Sequence, residues 1–233
     1  MPDLSRLAPL PPEAASDDPH ALRERLHSAL AEALVNGTLA PGQEYGEPRI
    51  AQQLGAPTAP LREALLLLAA QRLVEYTGPE TVRVTPVDAA TCRDTATVLH
   101  GLYRTAVLGA PWPLPEGDLA ALRNAAAAQV RAVAGRDAVE AAGSERALWS
   151  VFVHACRNRP LYDAVTQLAP AWQRAQHLEL PLPEKPEAAW EALLAACTAG
   201  DRQRALHCTD EHWQRALRGA DERCGRAGGT TTS

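Results

Sequence analysis

Apolar residues recur at helical spacing along most of the chain. Between residues 21 and 36, Leu22, Leu26, Ala29, Leu30, Ala33 and Leu34 share one stripe, and Arg and Glu take the other face. This pattern predicts an amphipathic helix closed by Gly37. Pro41-Gly42 predicts a turn. Shorter helices follow at 47–54, stopped by Gly55, and at 58–70, with Thr58 as N-cap and Pro60 in the first turn. Leu73–Tyr76 and Val82–Thr85 predict two short strands around Gly78-Pro79. Three helices followed by a hairpin is the winged helix-turn-helix plan. Beyond Pro86 the spacing is helical throughout, predicting helices near 88–109, 117–134, 137–157, 160–178, 187–199 and 201–219. Prolines, Gly135, Asn158 and Gly200-Asp201 separate them. The fold predicted is mainly α, a small β-hairpin wing on the first domain and an antiparallel helical bundle as the second.

The boundaries that follow are a disordered lead at 1–19, a winged helix-turn-helix domain at 20–87, a helical domain at 88–222 and a disordered tail at 223–233. A hydrophobic share of 46% is enough to fold both domains. No run approaches the roughly 20 apolar residues of a membrane span. The first twenty residues carry prolines and acids where a signal peptide needs a basic and then an apolar run. The five cysteines form no C-x-x-C pair, so reduced thiols in the cytoplasm are expected. Charge changes the picture more. Residues 1–88 hold seven Arg against twelve Asp and Glu, a net of −5, which is the charge of the whole chain. An acidic first domain lacks the basic footprint of a strong nucleic-acid binder.

Four stretches of the first domain carry a family likeness: G-T-L-A-P-G at 37–42, I-A-Q-Q-L-G at 50–55, P-L-R-E-A-L at 60–65 and L-V at 73–74. In the second domain N-R-P-L at 158–161, A-G-D at 199–201 and His212 add to it. From about Leu22 to Leu217 the chain resembles the GntR family of bacterial transcription regulators, in the branch with a helical FCD-type effector domain. The resemblance implies a homodimer that binds a near-palindromic operator and answers to a small effector in its second domain. The DNA contacts it implies fall on Arg62, Arg49, Thr58 and Arg83. Where the family usually has V-S-R-T-P-V-R before and into the recognition helix, this chain has Ala56-Pro57-Thr58-Ala59-Pro60-Leu61-Arg62. Thr58 thus replaces the arginine expected at a base edge, a contact worth about 1–3 kcal/mol of discrimination. Another frequent basic position is Pro48, beside Arg49, and the wing tip carries Glu80.

The same branch often holds a divalent metal through an Asp and two or three His. Aligned on Asn158 and Asp201, those ligand positions are Glu145, Trp149, Trp190 and His212. Two donors do not make a buried metal site, so no metal or other cofactor is expected. His154 lies about 180° round the helix from Glu145, and His207 about 140° from His212, so neither completes the set. All five tryptophans lie in the second domain, two of them at former ligand positions. Trp149 and Trp190 either fill the vacated centre as core or wall a pocket for a flat, aromatic or apolar, or cationic, molecule. Glu145 and His212 are the ionisable groups of that pocket and the candidates for acid–base chemistry; His100, Tyr103 and Arg104 are further candidate contacts.

Three functions fit these residues. One is a dimeric regulator with a metal-free, tryptophan-lined effector pocket. Another is a repurposed member that no longer reads DNA and binds or converts a small molecule. A third is a partner subunit that modulates a related regulator.

Overall fold

The computed structural model describes residues 4–11 and 18–227. The chain divides into two units, Met1–Val87 and Asp88–Ser233. The first holds α1 (Pro19–Val35), β1 (Glu44–Gly46), α2 (Glu47–Leu54), α3 (Thr58–Ala70), β2 (Val74–Gly78) and β3 (Thr81–Val84). The expected stripe of α1 is its buried face: Leu26, Leu30 and Leu34 are fully enclosed, with α3 packed against the helix. Burying such a leucine is worth roughly 1.5–3 kcal/mol, which is what fixes the helix in place. Gly55 closes α2 at φ 66°, a left-handed turn that glycine adopts without strain.

Three details depart from expectation. The cap position of α3 is Pro57 rather than Thr58, because Pro57 already has the extended cap geometry and Thr58 begins the helix; no side chain caps it. A third strand, β1, joins the wing, so the antiparallel sheet runs β1-β3-β2 with Tyr45 opposite Val82. The third departure concerns the lead. Residues 4–11 are not a free arm: Leu4 and Leu7 are buried, the Leu10 N–H donates to the Leu54 carbonyl at 3.1 Å, and Gln53 Nε2 donates to the Leu7 carbonyl at 2.7 Å. Leucines spaced by three give this proline-rich stretch one apolar side to bury. The remainder of the expected lead, at 1–3 and 12–17, lies outside the described residues.

The second unit is helical throughout its described residues: α4 (Ala89–Gly109), α5 (Glu116–Ala134), α6 (Ala138–Ala155), α7 (Arg159–Leu178), α8 (Glu187–Ala199) and α9 (Arg202–Ala227). Asp88, Asp137 and Asn158 cap α4, α6 and α7 by accepting from backbone N–H groups at 2.8–3.2 Å. Gly200 closes α8 at φ 70°. α4 packs on α6, α7 and α9, and α5 on α6 and α8. α9 runs past the expected end at 219, because Ala220 is fully buried and Asp221 pairs with Arg93 of α4. Gly219 within it costs about 1 kcal/mol of helix propensity, which that packing offsets. Of the expected tail, residues 228–233 lie outside the described residues. Among the described residues no helix is long and apolar enough to cross a membrane.

Candidate functional sites in the two units

In the first unit two of the four positions expected to touch DNA, Arg62 and Arg83, are paired with acids. Glu47, at the start of α2, is fully buried, and its carboxylate has three donors. Arg62 reaches its Oε2 with Nε at 2.8 Å and with an η nitrogen at 2.6 Å, and the Tyr76 hydroxyl donates to Oε1 at 2.7 Å. Glu80 of the wing lies 3.7 Å from the same guanidinium. The hydrogen bond to Glu47, and then its charge, hold Arg62 above the usual arginine range. Burial, with the same carboxylate, pushes the Tyr76 phenol up. Arg83 sits between Glu44 at 3.5 Å and Glu75 at 3.4 Å, and Arg49 is half-buried. Thr58 is exposed at the first turn of α3. The rest of the exposed face of α3 is Ala59, Glu63, Leu66, Leu67 and Ala70, and the two leucines are 54% and 45% exposed. That face offers one acid and no hydrogen-bond donor to a base edge beyond Thr58 and Arg62.

In the second unit, Glu145 and Trp149 lie one turn apart on α6 and so face inward together. Glu145 is 6% exposed. Its Oε1 accepts from Gln176 Nε2 of α7 at 3.0 Å and lies 3.3 Å from His212 Nε2 of α9. Trp190 of α8 is held by its indole N–H, which donates to Gln129 Oε1 of α5 at 2.7 Å. Glu145, Gln176, His212, Trp190 and Gln129 border a cavity of about 700 Å³, lined also by Trp172 and by the 180–186 segment between α7 and α8. That volume lies within the range of small-molecule sites.

Of the seven residues expected at a ligand, Glu145, Trp190 and His212 line this cavity. Trp149 and Tyr103 lie behind it. Trp149 is 1% exposed, edge-on to Trp190 at 6.1 Å and 5.2 Å from the His212 ring, while Tyr103 stacks on Trp213 at 5.3 Å. His100 and Arg104 are directed elsewhere, to Asp210 of α9, with His100 Nε2 at 2.8 Å. Desolvation works against that carboxylate, but the Arg104 and His100 hydrogen bonds outweigh it and hold Asp210 below the usual range. Asp210 and His212 are about 200° apart on α9, which is why α4 meets one and the cavity the other. Gln129, Trp172 and Gln176 escaped the sequence reading. Neutral amides carry no charge signal, and Trp172 stood at no former ligand position.

The donor set does not fit the divalent ion that the branch often carries. Indoles take two of the four ligand positions, and the remaining pair, Glu145 and His212, are bonded to each other. Among the described residues no group of three or more His, Cys, Asp or Glu converges.

The model of gntR-family bacterial regulatory proteins matches residues 22–84, and that of the FCD domain matches residues 105–215. The chain belongs to the GntR family. It is a transcriptional regulator of that family with an FCD effector domain. No curated protein matches the GntR chain. Among solved structures it is similar to E. coli McbR/YncC, at 24% identity over 87% of this chain and 98% of that one, with a TM-score of 0.75. A GntR transcriptional regulator from Rhodococcus sp. RHA1 is similar at 18% identity, over 87% and 98%, with a TM-score of 0.74. Likenesses at this identity speak for the fold of the GntR chain and no further.

Proposed function

We propose that this GntR regulator binds operator DNA as a homodimer and answers to a small molecule held in the metal-free cavity of its helical domain. The observation that carries the reading is the cavity itself. A space of about 700 Å³, walled by Trp172 and Trp190 and floored by Glu145, Gln176 and His212, has the volume and polarity of an effector site. Trp190 is held as a wall by Gln129, so the site is formed before anything enters it. DNA affinity is modest in this account, because Arg62 and Arg83 spend part of their charge on Glu47, Glu44 and Glu75. A gel-shift titration with the promoter region next to its own gene tests the DNA half. A retarded dimer complex at low salt, weakened steeply as salt rises, is expected; no complex at low salt would defeat it.

A second reading has its own observation. The exposed face of α3 is apolar and acidic, with Leu66 and Leu67 where a base-reading helix presents donors. A repurposed member that binds or converts a small molecule without reading DNA fits that face, with Glu145 and His212 as its acid–base pair. Ligand binding together with failure of the gel shift would favour it.

A further inference from the structure

The charge at the floor of the cavity points to the class of molecule that fills it. Among the described residues Glu145 is the only acid enclosed there. Its Oε1 takes both the Gln176 and the His212 contacts, and Oε2 is left without a hydrogen-bond partner among the described residues. No lysine or arginine among the described residues forms an ion pair with that carboxylate. The other charged residues lining the cavity are Glu184, Glu211 and Glu222 against Lys185, Arg215 and Arg218, all exposed at its rim and balanced three to three. With the His212 imidazole neutral, the net charge facing an occupant is therefore that of Glu145. A ligand carboxylate placed on this floor would meet a like charge with no cation to offset it, at the cost of its own desolvation. A protonated amine gains on both counts. It supplies the charge-assisted donors that Oε2 lacks, and the tryptophans beside it attract cations through their ring faces.

We infer that the cavity takes a base: a ligand whose flat apolar body lies against Trp172 and Trp190 and whose protonated amine or amidine meets Glu145 Oε2. Where the branch that this domain resembles often holds an ion, this chain presents the Glu145 carboxylate. The inference rests on the proposal that the cavity is an effector site, and it deepens that proposal by naming the ligand class.

Calorimetric titration of the full chain with three matched probes separates the two claims: 4-phenylbutylamine, 4-phenylbutan-1-ol and 4-phenylbutyrate. The titration is run at pH 8, above the range in which a free imidazole carries charge. Binding of the alcohol, lost in Trp190→Ala, reports an apolar site in the cavity and so tests the effector reading alone. The order amine, then alcohol, then acid tests the inference, and the amine is expected to bind at least about tenfold tighter than the alcohol. Glu145→Gln, nearly the same shape, should bring the amine down to the affinity of the alcohol, the amine losing far more than the alcohol does. Glu145→Asp should keep part of the preference. An acid that binds as well as the amine, or an amine preference that survives Glu145→Gln, would overturn the inference and leave the cavity an effector site. No heat from any of the three would count against both.

Discussion

At the scale of single residues, the buried carboxylate of Glu47 decides what Arg62 does. A fully enclosed acid needs its donors, and Arg62 supplies two of the three. Arg62→Ala should therefore lower the urea midpoint of the N-terminal unit, because Glu47 would lose its charged partner. An unchanged midpoint would mean that water takes the arginine's place. The family resemblance put Arg62 at a DNA-contact position but could not show this bond, since Glu47 lies fifteen residues away on another helix. Asp210 gives a pH-dependent counterpart. Its folded carboxyl is held below its unfolded value, so it contributes stability that is present above the unfolded value and lost as pH falls through the folded one. Asp210→Asn should therefore flatten the acid limb of the thermal-stability curve. A limb as steep as that of the unsubstituted protein would show that other carboxylates govern it.

At the scale of elements, the sequence was most readable where breakers bound a periodic run. Gly135, Asn158 and Gly200 each stand at an observed helix end. Legibility failed where a segment is too short for a period or where its burial depends on a distant partner. β1 is three residues and shows no alternation to count. Residues 4–11 look like a linker in composition, yet Leu4 and Leu7 are buried, and Leu7 and Leu10 bond to the end of α2. This makes the arm part of the winged unit, and Leu7→Ala should cost about 2–4 kcal/mol. Limited proteolysis near the N-terminus should accelerate in that variant. A cleavage rate equal to that of the unsubstituted chain would show that the arm contributes nothing to the fold. The cavity was half legible for a related reason: the resemblance, aligned on Asn158 and Asp201, pointed to its charged floor, whereas its amide partners Gln129 and Gln176 depend on how α5 and α7 pack.

At the scale of the whole molecule, a family plan is kept while both of its chemical sites are altered. The helix order and domain pair are those of a GntR regulator with an FCD domain. In the winged unit, arginines that would meet phosphates are shared with acids. In the helical unit, indoles stand at two positions where the branch places metal ligands, and a tryptophan-walled cavity adjoins the remaining Glu145–His212 pair. The altered centre is the claim on which the effector proposal depends. Metal content and affinity test it most directly. Zinc, nickel and manganese should each be substoichiometric in the purified protein, and calorimetric titration of the metal-stripped chain should give no saturable heat at micromolar ion. One tightly held ion per chain, lost in His212→Ala, would contradict the account.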